Sequence, residues 1–210
     1  NDVFKNWAGK KLEEGTKLVI GQHGGNYGMA RFSFLEKHQI DISDKWLSWG
    51  WSDKMRPKII PFGNLKSFGS KVEYDPKGNA LMVEMSLPRY RYHLYALPLS
   101  KQFLDYQDDQ QKFFKTLPHK LRCQVLIRLS SQDYGWDQKY RLKDTMPEAK
   151  IDLGAQDIRK LVRKSRLYIS TYNSTTYLES LSWNIPTIIF WNPKHWELRE
   201  EVKPYFELLK

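Results

Sequence analysis

One cysteine, Cys123, in 210 residues excludes an internal disulfide and any cysteine-built metal site. No uninterrupted apolar run approaches the roughly 20 residues that a membrane-spanning helix needs, so an integral membrane protein is not expected. There is no internal repeat, no low-complexity tract and no recognisable signal peptide, and the chain opens on Asn1 rather than methionine. A cytoplasmic setting is the expectation, and the chain reads as a piece of something longer. His23, His38, His93, His119 and His195 show no ligand spacing such as H-E-x-x-H, and neither a metal nor an organic cofactor is expected.

The residues that are present describe a globular chain, with 40% hydrophobic and 28% charged residues. At this length a substantial core can form. Thirty-four Lys and Arg against 24 Asp and Glu leave +10, which favours phosphate-bearing partners or an anionic membrane surface. The longest basic cluster, Arg159, Lys160, Arg163, Lys164 and Arg166, reads as a solvated helix face with cations near its C-terminus.

Short β-rich runs alternate with segments of helical spacing. The runs are 17–20, 46–51, 80–85, 124–129, 167–170 and 187–191; the helical segments are 29–37, 101–117, 156–164, 175–183 and 194–208. This alternation predicts an α/β fold with parallel sheets. A turn-rich stretch over 63–79, with Gly63, Gly69, Pro76 and Gly78, predicts a linker between residues 1–62 and 80–210. Ligands of such sheets gather where strands lead into helices, so those junctions are the places to look for chemistry.

The first junction is "GQHGGNYG", Gly21 to Gly28, with four glycines around His23. Gly24 and Gly25 permit close approach of a ligand, and a histidine at a strand end can act as a general base near neutral pH. The stretch is neither the G-x-G-x-x-G fingerprint nor a Walker loop. The second junction, "STYNSTTYLE", runs from Ser170 to Glu179. Its hydroxyls and one amide, with the N–H groups of a helix start, suit a phosphate or carboxylate. Thr176 and Glu179 have capping-box spacing, which leaves Ser170, Thr171, Asn173, Ser174 and Thr175 to be explained. Glu179 is alternatively placed to accept from ribose hydroxyls.

A third junction, "SLPRYRY", puts Arg89 and Arg91 after the run 80–85, where arginines can clamp an anion. Arg128, inside "VLIRLSS", must either meet a structural carboxylate or reach a ligand. In "KWLSWGW", Leu47, Trp49 and Trp51 share one face at strand spacing and are expected to pack in the core. "PRYRYHLY" mixes basic and aromatic residues as a nucleic-acid surface would, but no nucleic-acid-binding motif accompanies it.

A strand followed by "GQHGG", then "WLSWGW", then "STYNSTTYLESLSWNIPTIIFWNP" resembles the LIC12162-type transferases of bacterial surface-polysaccharide, or O-antigen, biosynthesis. More broadly the pattern is similar to GT-B glycosyltransferases, related to the ulosonate and glycerophosphate transferases. Where those enzymes often carry glycine before the proline, this chain has Asn184-Ile185. The resemblance implies Rossmann-like domains facing across a cleft, with 1–62 the end of an acceptor domain and 80–210 the donor-nucleotide domain. It also implies that most of the first domain and a closing C-terminal helix lie outside this chain.

Carried over, the family's catalytic histidine-glycine motif falls on His23 and Gly24. Asn173 to Thr176 would hold the phosphate of a nucleotide-sugar donor, with Arg89 or Arg128 neutralising it, and His23 would deprotonate the acceptor hydroxyl. The implied partners are a donor such as a CMP-activated acidic sugar, or a UDP or GDP sugar, and a carbohydrate or lipid-linked saccharide acceptor. Peripheral contact with an anionic membrane is also implied; nucleic acid is not. A glycerol- or ribitol-phosphate transferase on the same scaffold, and a non-catalytic nucleic-acid-binding module, are the alternatives.

Overall fold

The structure is a computed structural model that describes residues 1–90 and 96–209; Arg91, Tyr92 and His93, named above, lie outside the described residues. Two parallel sheets carry the chain, in a Rossmann-like α/β arrangement. The first has the order β1-β2-β3, with β1 Val19–Gly21, β2 Lys45–Ser48 and β3 Ile59–Pro61. Helix α1 (Asp2–Glu13) precedes it, and α2 (Phe34–Ile42) is the crossover from β1 to β2.

The second sheet comprises β4 (Asn79–Val83), β5 (Val125–Arg128), β6 (Lys150–Asp152), β7 (Ser165–Ser170) and β8 (Thr187–Ile189), in the order β6-β5-β4-β7-β8. Helices α3 (Gln102–Thr116), α4 (His119–Arg122), α5 (Gln138–Thr145), α6 (Ile158–Val162), α7 (Thr175–Ser182) and α8 (Lys203–Glu207) complete the elements. The chain steps outward from β4 through β5 to β6, then returns to lay β7 on the other side of β4. That reversal puts the topological switch point at the carboxyl ends of β4 and β7, the place where open α/β sheets bind ligands.

Strand alternation sorts β4 between two cores. Leu81 and Val83 join Leu161, Val162 and Tyr168, while Ala80 and Met82 join Phe114 of α3, Leu142 of α5 and Ile127. Both faces of β4 are therefore covered, which is why 80–83 is an unbroken apolar run. A third cluster, Tyr27, Ile40, Trp46 and Ile59, lies on the first sheet.

Several local expectations shift. Strand β2 ends at Ser48 and Gly50 takes a positive φ of 106°, so the expected strand face of Leu47, Trp49 and Trp51 does not form; Trp46 is the fully buried ring, and Trp51 packs against its cluster from the following loop. The helix expected over 29–37 begins only at Phe34. Residues 29–31 instead pair with 197–199, through an Ala30–Leu198 bridge, Arg31 N–H to the Glu197 carbonyl and Arg199 N–H to the Met29 carbonyl. The same pairing holds the segment after Pro193 out of a helix, so of 194–208 a 3-10 turn at Glu200–Val202 and α8 are helical. The short β3 and β6 and the helices α4 and α5 carry too few periodic residues to be predicted from pattern; α1, absent from the expected helices, has Val3, Phe4, Trp7, Ala8 and Leu12 at helical spacing but no buried residue. Asn184 sits at φ 54°, the left-handed position just past α7, which asparagine adopts more readily than most residues.

The stretch over 62–78 contains no helix or strand, yet it is docked. Val72 is buried in the core, the Trp183 indole donates to Ser70 Oγ at 3.2 Å, and a Cβ on Gly78 would lie 2.3 Å from the Lys164 carbonyl oxygen. A buried carboxylate ties the first sheet to the C-terminal segment. Glu36 Oε2 accepts from Gly28 N–H at 2.8 Å and Oε1 from Arg199 Nη2 at 2.8 Å, while Arg199 Nε donates to the Ala30 carbonyl at 3.0 Å. Substituting Glu36→Ala strands Arg199 and the Gly28 amide. Because Arg199 keeps 21% of its side chain exposed, the expected loss in urea unfolding is about 2–3 kcal/mol, below the ~3–5 of a fully buried pair; a loss under about 0.5 kcal/mol would contradict this role.

Candidate functional site

Gln22 determines the shape of the loop that carries His23. Its backbone continues β1 by donating to the Leu47 carbonyl at 2.8 Å, and its side chain turns inward, 4% exposed. There Oε1 accepts from Trp49 N–H and from the Trp51 indole, both at 2.9 Å, and Nε2 donates to the Gly24 carbonyl at 2.7 Å. The Trp49 indole returns a bond to the Gln22 carbonyl at 2.9 Å. "GQHGG" and "WLSWGW" are thus one hydrogen-bonded unit, in which a buried amide uses nearly all its capacity. The Trp51 ring also occupies the space where Gly28, at φ 79°, would carry a Cβ, at 2.5 Å.

With the loop held, His23 is exposed and its Nδ1 lies 3.1 Å from the Tyr27 hydroxyl, the two rings meeting edge to face. Gly24 and Gly25 are buried against the start of α7. A Cβ on Gly25 would fall 2.2 Å from the Ser174 carbonyl oxygen and 2.8 Å from the Thr175 Cα, and Gly25 N–H donates to Thr175 Oγ1 at 3.1 Å. The two glycine-rich and hydroxyl-rich junctions, 150 residues apart in sequence, are therefore in backbone contact.

The structure also divides the polar run by task. Ser170 Oγ donates to the Tyr172 carbonyl at 2.9 Å, and Thr171 Oγ1 donates to the Val83 carbonyl at 2.8 Å and lies 2.7 Å from the Tyr106 hydroxyl; both residues are fully buried. Thr176 Oγ1 donates to the Tyr172 hydroxyl at 3.1 Å. These three hydroxyls, expected at the donor, close internal bonds. Asn173 and Ser174 make no side-chain hydrogen bond among the described residues, and Ser174 leads into α7 without capping it through its side chain. What remains of the run near the glycine loop is the first N–H groups of α7, the partly buried Ser174 and the buried Asn173, 4% exposed.

Glu179 neither forms the expected capping box nor stands open to a ribose. It is 3% exposed, and Lys66 Nζ covers one oxygen at 2.7 Å. Arg128 takes the structural alternative, because β6 lies beside β5 and brings a carboxylate alongside: Nη1 donates to Asp152 Oδ2 at 2.7 Å and Nη2 to the Gly154 carbonyl at 3.4 Å. Arg89 is exposed, its guanidinium 5.4 Å from the Trp136 ring centroid and 5.9 Å from that of Tyr90. Asp157 caps α6 by accepting from Arg159 N–H at 2.9 Å and pairs with the Arg159 guanidinium, hydrogen bonding that lowers its carboxyl to about 2.

Two features escaped the reading of the sequence. Gln22 carried no signal beyond its place beside a strand. Glu84, at the end of "ALMVE", obeys the same logic as Arg128, an ionisable residue closing an apolar run. It stands at the carboxyl end of β4, 4% exposed, with Oε1 lacking a hydrogen-bond partner among the described residues, and burial pushes its carboxyl up to about 8. Beside it, burial raises the Tyr106 hydroxyl well above its ordinary value, with the Glu84 charge adding to the effect. Next to the His23 loop, a cavity of about 930 Å³ is lined by Gln22, Tyr27, Trp49, Trp51, Tyr177 and Tyr205, among others. No group of three or more metal-ligating side chains occurs among the described residues.

A family model described as LIC12162 family transferase matches residues 1–210, and the chain belongs to that family. Its chemistry is accordingly group transfer. A comparison with curated proteins finds no match.

The Glu84 environment makes stability depend on pH in a definite direction. The folded chain keeps this proton up to about pH 8, whereas an ordinary carboxyl releases it near 4.5. Its contribution is present in full below pH 4.5 and is lost as pH rises toward about 8, by up to about 1.4 kcal/mol per unit. Urea unfolding across that window is expected to show a smaller loss for Glu84→Gln than for the parent; an identical slope in both would contradict the assignment.

Proposed function

We propose that this transferase moves a sugar from a nucleotide-sugar donor to a surface-polysaccharide or lipid-linked saccharide acceptor, on a GT-B-like scaffold. In this reading 1–62 closes the acceptor domain, 63–79 links, and 80–210 binds the donor nucleotide. The observation that carries it is the backbone contact of Gly25 with Ser174 and Thr175, which sets an exposed histidine beside the N-terminus of α7. A base and an anion site within one loop contact are the two parts such a transfer requires.

The donor phosphate rests against the first N–H groups of α7, Asn173 and Ser174, where backbone dipoles favour negative charge. Arg89, exposed, is the arginine left to neutralise it; Arg128 is not, since Asp152 holds it. His23 accepts the proton of the acceptor hydroxyl as that oxygen bonds to the anomeric carbon and the carbon–phosphate oxygen bond breaks. The leaving nucleotide keeps the electron pair, and its charge stays at the α7 terminus. The Tyr27 hydroxyl at Nδ1 orients the ring and leaves Nε2 for the acceptor, which approaches from the cavity that Tyr27 and Trp49 line. The +10 charge supports an anionic donor, with a CMP-activated acidic sugar the first choice and UDP or GDP sugars the comparison.

Calorimetry of CMP, UDP and GDP with the enzyme ranks the donors, and Asn173→Ala is expected to weaken the preferred nucleotide about tenfold. His23→Ala is expected to lower turnover by about 10²–10⁴ while leaving nucleotide affinity within about twofold. Normal turnover in that variant would remove the histidine from the mechanism. A phosphodiester rather than a glycosidic product would assign the glycerol- or ribitol-phosphate reaction instead.

A further inference from the structure

At the switch point the chain neighbours of Glu84 are both tied to the end of β7, while the Glu84 carboxyl is not. Thr171 Oγ1 donates to the Val83 carbonyl at 2.8 Å and lies 2.7 Å from the Tyr106 hydroxyl, which accepts from Met85 N–H at 2.9 Å. With the Thr171 proton directed at Val83, the Tyr106 hydroxyl is the donor between the two. Glu84 sits inside this junction, buried, with Oε1 unpartnered among the described residues. Val83 and Ser170 are in register, so Glu84 stands level with Thr171. From Thr171, three residues lead to Ser174 at the start of α7, a reach of roughly 10 Å at most.

The charges around this junction are committed elsewhere. Arg128 ends the neighbouring strand, but it is in register with Val83, so strand alternation sends residue 84 to the other face, and its guanidinium is held by Asp152. Burial raises the hydroxyls of Tyr106 on α3 and Tyr172 after β7, and both stay neutral. Asp105, beside Tyr106, is 63% exposed and lies 3.7 Å from His195 Nε2. In the loop after β5, Asp133 gives its carboxylate to the amides of Asp137 and Gln138. Arg89, on the loop that Glu84 opens, is exposed over the Trp136 ring. Burial is therefore not offset by a countercharge, and Glu84 keeps its proton to about pH 8.

A phosphate at the start of α7 and a negative charge on Glu84 would repel each other through protein interior, where salt and water screen little. We propose, on the reading that sets the donor phosphate at the start of α7, that the donor site is coupled to one proton on Glu84. The nucleotide binds with the carboxyl neutral and the Tyr106–Thr171 junction closed. Where Glu84 is ionised, binding draws one proton from solvent onto the carboxylate. By the same linkage a bound nucleotide makes Glu84 harder to ionise, and rising pH loosens the donor.

Calorimetric titration with CMP, UDP and GDP, in pairs of buffers that differ in ionisation enthalpy, counts the protons taken up with the nucleotide. Between about pH 7.5 and 9.5 the tightest of the three is expected to weaken about five- to tenfold, with about half a proton taken up per site near pH 8.5. Glu84→Gln keeps the shape of the side chain and cannot ionise; it is expected to take up no proton and to change by less than about twofold over the same range. The parent alone supplies a second readout: the Glu84 carboxyl carbon resonance is expected to titrate near pH 8 in the free protein and about one pH unit higher with nucleotide bound. Binding without proton uptake, uptake that Glu84→Gln retains, or a resonance that titrates alike with and without nucleotide overturns the proposal and leaves the donor site standing. If none of the three nucleotides binds, the donor reading falls and the coupling falls with it.

Discussion

The structure depends on a backbone contact that only glycine allows. At Gly25 the chain of the first sheet approaches Ser174 and Thr175 so closely that a single added carbon would sit 2.2 Å from a carbonyl oxygen. That approach couples a loop leaving β1 to the helix start leaving β7. Without it, His23 and the polar run would be unrelated features on two sheets. The glycines are thus explained by proximity to protein backbone, in addition to any room they leave for a substrate.

Two buried polar side chains keep the contact in register. Gln22 binds the loop to the Trp49 and Trp51 segment, and Glu36 binds the following turn to Arg199. Each is satisfied by several partners, and a buried polar group with that many bonds specifies geometry more strongly than apolar packing does. Transfer chemistry needs such rigidity, because it draws most of its acceleration from positioning and from charges fixed in advance. Glu84 is the exception: a buried carboxyl at the switch point with one oxygen unsatisfied among the described residues, its proton held more tightly because of burial.

Much of the fold was legible in the sequence because it follows from period and punctuation. The run 80–83 is continuous and becomes the central strand; 102–116 carries Phe103, Tyr106, Gln110 and Phe114 at helical spacing and becomes α3. What failed was set by tertiary pairing. Residues 29–31 and 197–199 satisfy each other's backbone groups and so abandon the helices that their own patterns favour. In the site, residue type located the junctions but could not tell which hydroxyls are already used. Ser170, Thr171, Thr176 and Glu179 look like binding groups in a string of letters, and each is engaged inside the molecule. Arg128 was decidable only once β6 was known to bring Asp152 beside it.

That the two junctions form one site is tested most directly by the imidazole resonances of His23 in a long-range proton–nitrogen spectrum, recorded as the preferred nucleotide is titrated. A phosphate at the α7 terminus is expected to move the His23 signals while those of His38, on α2, and His119, on α4, stay in place. Nucleotide binding that leaves His23 unmoved would contradict the account, placing the anion away from the loop that Gly25 holds against Ser174.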